Sequence, residues 1–359
     1  MFFFELIQLA LGERCSLSHN PTEEEWQEAY LMAEKQALTG ILFSAVEKMN
    51  SDNKAAMPPM PLFYQWIGDT LQIENRNKEV DYAAAKLSRI FKDGGLRSCV
   101  LKGQGIAQLY PKPERRQSGD VDLWVEGGRG KVLKFLKDNY LGTGQVVIHH
   151  VDARIIEGVD SEIHFMPGYT WNPFLHRKLQ HYFRQQAESQ FSNYDSKLGF
   201  AYPTNRFNAV YILSHIYMHY LYEGVGLRQI IDYYYVLKNL TQDEREQAAK
   251  DICQVGLEKF AGAVIYVLET VCSMSKSMSI VNPDTKRGIL LLDEIMRGGN
   301  MGKYDVSLAN RKEENLIQYN LVAFRRQLRS LRYYPMDVIS IPFWKTWHWC
   351  WRLYKGYLE

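Results

Sequence analysis

Residues 116–125 read Arg-Gln-Ser-Gly-Asp-Val-Asp-Leu-Trp-Val, with two carboxylates two positions apart in a run that alternates with apolar side chains. On a β-strand, residues i and i+2 point to one face. Asp120 and Asp122 therefore share a face, while Val121, Leu123 and Val125 turn towards a core. Adjacent like charges repel and are usually held together by something positive. Mg²⁺ is the natural candidate, because it takes one or two carboxylates and completes its shell with water and substrate phosphates. An Asp-x-Asp by itself is most often a solvated strand end or turn. Its neighbours decide the matter.

Three neighbours point the same way. Lys102-Gly103-Gln104-Gly105 follows a short apolar run, and glycines at a strand-to-helix turn let backbone come close to a ligand. The amide donors of the helix start that follows suit a phosphate. Further on, Asp160, Glu162 and His164 share one face of a strand. If that strand lies beside the first, about 4.8 Å away, Glu162 completes a carboxylate trio with Asp120 and Asp122, suited to two metal ions. Lys102 and Arg116 flank the turn and the aspartates, one a point charge for phosphate and the other a bidentate fork. Each feature alone has a plain alternative: an ordinary turn, a solvent-facing edge strand, a surface charge. Jointly they describe metal-assisted chemistry on a phosphate.

The elements that must position these groups follow from pattern. The first part reads as helical: residues 2–12, a second helix opened by Thr22 with Glu25 three residues on, and a long helix over 63–92 stopped by Gly94-Gly95. A polar, Pro-containing loop at 50–61 separates the last two. Strands are expected at 98–101, 119–125, 145–150, 154–156 and 160–165, with short helices at 106–110 and 131–139 between them. From 206 onward the spacing is helical again, over 206–222, 227–240, 243–255, 257–274 and 285–296. The fold class is α+β: a small mixed-sheet core over residues 96–202, flanked by an N-terminal helical region (1–95) and a C-terminal helical domain (203–359).

Composition sets outer limits. A chain of 359 residues with 46% apolar content is globular and long enough for two or three domains. A net charge of +2 does not by itself predict nucleic-acid binding. The five cysteines are scattered, odd in number and without a C-x-x-C pair, which argues for reduced thiols in a cytoplasm and against a disulfide framework or a zinc site. The apolar N-terminus lacks a basic n-region, and no uncharged apolar run approaches the length of a membrane span.

The order strand, Leu101-Lys102-Gly103, short helix, Arg116-Gln117-Ser118-Gly119-Asp120-Val121-Asp122-Leu123, then Glu162-Ile163-His164 resembles the nucleotidyltransferase superfamily that includes DNA polymerase β. More narrowly it resembles a family of uncharacterised bacterial nucleotidyltransferases. The resemblance continues in His215 and His219, then Gly226-Leu227-Arg228 and Asp232. Gln104 stands where the wider superfamily carries Ser or Gly. The resemblance implies a two-metal mechanism in which a nucleoside monophosphate passes from an NTP to an unidentified hydroxyl acceptor and pyrophosphate leaves. Asp120, Asp122 and Glu162 would be the catalytic and metal-binding residues, with Mg²⁺ or Mn²⁺. Lys102, Gly103, Gln104, Gly105 and Arg116 would bind the nucleotide phosphates. His164, His215, His219, Arg228 and Asp232 would line an acceptor pocket, a small-molecule acceptor being favoured over RNA or protein. The alternatives are a catalytically silent nucleotide-binding or scaffold protein, and a toxin-like transferase acting on tRNA or protein.

Three features also have a reading of their own. His215 and His219 have metal-ligand spacing on a helix, but no H-E-x-x-H pattern, so packing or pocket roles are expected. Tyr233-Tyr234-Tyr235 is expected in the core. From Arg325 onward the chain carries Arg326, Arg329, Arg332, Lys345, Arg352 and Lys355 among Phe343, Trp344, Trp347, Trp349 and Trp351. The expectation for this tail is a docking helix, with a peripheral membrane or partner contact, or RNA held by stacking, as the alternatives.

Overall fold

The computed structural model describes residues 1–52, 57–139, 141–305, 324 and 327–357. Part of the expected 50–61 loop, together with Arg325, Arg326 and Glu359 of the tail, lies outside the described residues. The fold is α+β, with one five-stranded mixed sheet among helices.

Helix α1 (Phe2–Leu11) ends on Gly12 in the left-handed conformation. Helix α2 (Glu23–Lys35) opens on the expected capping box, Thr22 and Glu25 each satisfying the other's backbone amide. The chain then breaks at Ala37, φ 55°, and restarts as α3 (Thr39–Asp52). Sequence pattern carries the apolar spacing through Ala37 and does not show this break. Gly40 explains the close packing that follows: a Cβ there would lie 2.6 Å from the Arg115 carbonyl oxygen. Arg115 itself holds α3 and the next helix together, with bonds to Glu47 (2.8 Å) and Glu74 (3.0 Å).

Helix α4 (Met60–Asp93) is the long element on which the sheet rests. Strands β1 (Ser98–Leu101) and β2 (Val121–Val125) are joined by a short helix α5 (Gly103–Ala107) and a 3-10 turn at Pro113–Arg115. Helix α5 starts three residues earlier than expected, directly at the glycines. Then come α6 (Gly128–Asp138), β3 (Thr143–Val146), β4 (His150–Ile156) and β5 (Val159–His164). The apolar run at 146–148 reads as strand, but the ladder turns there, with the Val147 amide donating to the His150 carbonyl. Sheet order is β1-β2-β5-β4-β3; β2 and β5 are parallel and the other neighbours antiparallel.

Sequence pattern misses helix α7 (Pro173–Ser192) and the small hairpin β6 (Tyr194–Asp195) and β7 (Phe200–Ala201). The C-terminal helices α8 (Asn205–Tyr222), α9 (Leu227–Lys238), α10 (Gln242–Val255), α11 (Glu258–Cys272) and α12 (Thr285–Gly298) follow the expected spans closely. Helix α13 (Pro335–Lys355) closes the described chain.

Two apolar clusters organise the interior. Val121, Leu123, Val125 and Ile163 pack with Val80, Leu87 and Phe91 of α4 and Val132 and Leu136 of α6. The other cluster joins α1–α3 to α7–α12 and takes in Trp124 from the opposite face of β2. Strand β2 is therefore buried on both faces, and Asp122 shares its polar side with a tryptophan. Tyr233, Tyr234 and Tyr235 are in that second core, as expected. Helix α13 docks through Val338 and Ile341, and Trp344 and Trp351 lie against His176 and Arg129, while Phe343, Trp347, Trp349 and Tyr354 face outward.

Candidate functional site

The sheet register assembles the centre of the site. Asp122 on β2 lies directly opposite Glu162 on β5, and Glu162 is opposite Asp152 on β4. One step along, His164 on β5 is opposite His150 on β4. Residues opposite one another on neighbouring strands point to the same face. The expected pairing of the acidic strands is thus realised, and it places carboxylates and imidazoles in rows across three strands.

Asp120 lies just before β2 in a loop bolted down by α4. Asn77 donates to the Arg116 carbonyl at 2.9 Å, and Arg76 donates to Gly119 (3.4 Å) and Gly158 (2.8 Å) carbonyls. Lys102 sits between β1 and α5 with φ 49° and ψ −141°. A non-glycine residue there is strained, and such strain collects where a side chain must be aimed. Its Nζ reaches Asp122 Oδ1 at 2.7 Å. The same oxygen accepts from His164 Nε2 at 3.0 Å, and that nitrogen is also 3.2 Å from Glu162 Oε2.

These contacts divide the carboxylates. Burial would raise Asp122, but the Lys102 ammonium and His164 hold it well below the usual carboxylate range. Glu162 is likewise lowered: burial and the Asp122 charge would raise it, and His164 together with the Lys102 ammonium overcomes them. Asp120 goes the other way, pushed up to about 6 first by the Asp122 charge and then by burial. His164 is raised; its burial is overcome by hydrogen bonds to Asp122 and Glu162. His150 is pushed down to about 4 by burial and by His164.

A cleft of about 840 Å³ opens over this centre, walled on the other side by α8 and α9. It is lined by Lys102, Gly103, Arg116, Asp120, Asp122, Glu162, His164, His215, His219, Arg228 and Asp232. Two expected phosphate contacts are not on its wall. Gln104 is 2% exposed and braces the loop, donating to Asp81 and accepting from Ser118 at 2.6 Å. Gly105 is a packing position: a Cβ would meet the Val100 carbonyl oxygen at 2.7 Å.

Arg116 reaches the cleft, but its guanidinium is engaged. It donates to both oxygens of Asp232 at 2.7 Å, and Tyr110 donates to one of them at 2.7 Å. Asp232 therefore pairs with Arg116 and not with Arg228, its neighbour one turn back on α9. Arg228 makes no ion pair among the described residues, and burial, then Arg116, lower its hold on its proton. His215 and His219 stack edge to face at 4.2 Å, and His219 bonds Glu223 at 2.9 Å.

Among the described residues, the groups whose ligand atoms lie within 4.8 Å of one another are Asp122/Glu162/His164, His149/His150/His164 and His150/Asp152/Glu162. Asp120 belongs to none of them; His164 stands with Asp122 and Glu162. Sequence reasoning also misses His149 and His150. Their signal was a doubled histidine ahead of a strand that had to pair with Glu162-Ile163-His164.

Residues 22–272 match the model of a family described as uncharacterised nucleotidyltransferase. No curated protein matched. An antigenic nucleotidyltransferase-like protein from Paracoccidioides brasiliensis aligns at 12% identity and a TM-score of 0.34, over 58% of this chain and 96% of its own. The Thermotoga maritima CCA-adding enzyme complexed with tRNA aligns at 11% identity and a TM-score of 0.20, over 72% and 77%. Structural likeness at those scores carries no argument. The family match spans well over half of the sequence, and the chain belongs to the uncharacterised nucleotidyltransferase family.

Proposed function

We propose that the protein transfers a nucleoside monophosphate from an NTP to a hydroxyl acceptor, with a divalent metal ion bound at the acidic face. The reading is carried by one observation: Asp122 and Glu162 stand in register on adjacent parallel strands at the floor of a cleft with Lys102 and Arg228 on its wall.

The residues fit a hard cation. Asp120 is a carboxyl raised to about 6 because a like charge beside it is not fully neutralised. Oxygen donors of this kind suit Mg²⁺ or Mn²⁺, and Asp120, Asp122 and Glu162 would hold it. When bound, such an ion neutralises phosphate charge and favours ionisation of the attacking hydroxyl. Lys102 and Arg228 face the phosphates as cations, and Gly103 lets backbone approach them. In the reaction the acceptor oxygen bonds to the α-phosphorus and the bond from that phosphorus to the bridging oxygen of the β-phosphate breaks. Pyrophosphate leaves with that electron pair, and the hydroxyl proton passes to a carboxylate, for which Glu162 is the candidate. His164, His215 and His219 surround the acceptor. A small hydroxyl compound fits a cleft of this size better than a macromolecule. The outward aromatic face of α13 is the surface for any peripheral contact, with a membrane or a protein partner.

The test is incubation with each α-labelled NTP and Mg²⁺ or Mn²⁺ in cell extract, beside an Asp120→Ala/Asp122→Ala control. Label transferred by the wild type alone is the expected result, and the labelled species identifies the acceptor. One observation favours the second reading, a silent nucleotide-binding protein: Lys102 already serves Asp122 as counter-ion at 2.7 Å. Metal-dependent nucleotide binding without transfer would select it, and absence of binding would refute both.

A further inference from the structure

Three imidazoles meet beside the carboxylates, and hydrogen bonding leaves two of their nitrogens without a partner among the described residues. His149 closes the turn between β3 and β4, His150 opens β4, and His164 ends β5. Their ring centroids are 4.3, 5.3 and 5.2 Å apart for the pairs 149–150, 149–164 and 150–164. One nitrogen from each ring lies within 4.8 Å of the other two.

His149 Nε2 and His150 Nδ1 are 3.0 Å apart and share one hydrogen bond. His164 spends Nε2 on Asp122 and Glu162. Nδ1 of His149 and Nδ1 of His164 are then buried with no hydrogen-bond partner among the described residues, and His164 is only 1% exposed. In either protonation state each is an orphan: a bare lone pair, or an N–H with no acceptor. Buried polar atoms without partners are rare and usually mark an unfilled role. His150 adds a second sign. Its Nε2 lies 3.1 Å from Asp152 Oδ1 while Nδ1 faces His149 at 3.0 Å and Glu162 Oε2 at 3.2 Å, and a carboxylate behind a histidine is the arrangement that orients metal-binding imidazoles.

We infer that His149, His150 and His164 form a binding site for a borderline divalent cation of the zinc type, separate in ligand chemistry from the acidic face. Clustered imidazole nitrogens select Zn²⁺, Co²⁺ or Ni²⁺, whereas Mg²⁺ takes oxygen ligands. Three protein ligands leave a coordination position open to water or to a substrate oxygen in the cleft. The site goes beyond nucleotidyl transfer and does not depend on it.

The test is metal binding by the full chain, stripped with chelator, using Zn²⁺ in equilibrium dialysis and Co²⁺ in visible absorption, without nucleotide. One Zn²⁺ per chain is expected, retained against millimolar Mg²⁺, with Co²⁺ giving the bands of a nitrogen-ligated site. His149→Gln/His150→Gln should weaken Zn²⁺ binding by at least about 100-fold, since even outer-shell partners contribute up to that much. Asp120→Asn should keep the stoichiometry while losing nucleotidyl transfer, so failure of either idea is visible apart from the other. Circular dichroism in chelator checks folding, and the single variant His150→Gln carries the test if the double variant unfolds. No bound Zn²⁺, or equal binding by wild type and histidine variants, overturns the site.

Discussion

Two buried polar clusters lie within a few residues of each other, and they are built on opposite principles. In one, Arg116, Asp232, Tyr110, Ser118 and Gln104 satisfy one another at 2.6 to 3.0 Å. In the other, Asp120 faces Asp122 with its carboxyl raised to about 6, and two imidazole nitrogens have no partner. A buried network with every member paired rigidifies a fold, whereas one left incomplete costs stability. The first cluster ties the loop before β2 to α9 and so fixes the width of the cleft. The second is kept incomplete, which is what a binding site requires before its ligand arrives.

Substitutions should separate the two. The largest effect on activity is expected in the incomplete cluster: Asp120→Ala/Asp122→Ala should reduce label transfer by about 10³-fold or more, as loss of electrostatic stabilisation at a reacting phosphate does, with circular dichroism checking that the variant is folded. In the complete cluster, Asp232→Ala strands the buried Arg116 charge and the Tyr110 hydroxyl. It should lower unfolding stability by about 3–5 kcal/mol, the range for breaking one half of a buried pair, measured by urea titration.

Asp120→Asn sharpens the contrast from the other side. A carboxyl raised to about 6 in the fold, above its value in the unfolded chain, binds more protons folded than unfolded. Stability of the chelator-treated wild type should therefore fall as pH rises from 4 through 6. The Asn variant should lack that decline and be the more stable at pH 7, and a decline of equal size in both would refute the reading.

The smallest effect belongs to a half-exposed structural pair. Glu47 is lowered to about 2, first by its bond to Arg115 and then by Lys112, against its burial. Its contribution is present above pH 4.5 and lost as pH falls towards 2. Glu47→Gln should flatten that acid limb and cost less than about 1 kcal/mol at neutral pH, read from unfolding curves across the pH range.

Much of this was legible in the residues. The Asp-x-Asp and Glu-x-His strands are legible from alternation, because a strand's period of two assigns each side chain to a face, and the Lys-Gly turn from its glycines. The C-terminal helices were found because apolar residues recur at 3.6 spacing. Helix α7 escaped: its first residues, Pro173-Phe174-Leu175-His176-Arg177-Lys178, are mixed in character, and its buried side chains are set by contacts with α10 and, through Tyr182 and Phe183, with Phe207 and Tyr211 of α8. The break at Ala37 escaped because a single left-handed residue leaves apolar spacing intact.

The sequence by itself determined which groups could do chemistry here, and on which face of which strand each would stand. Local periodicity is enough for that. Only the tertiary structure decided how those groups are spent. It assigned Arg116 to Asp232 and left Arg228 free of ion pairs among the described residues. It turned Gln104 into a brace and set His164 beside Asp122 and Glu162. It also carried His149 and His150 onto the acidic face. Strand order and register set these outcomes, since a contact between residues a hundred positions apart depends on which strands pair and by how much they are offset, and local spacing holds no record of either.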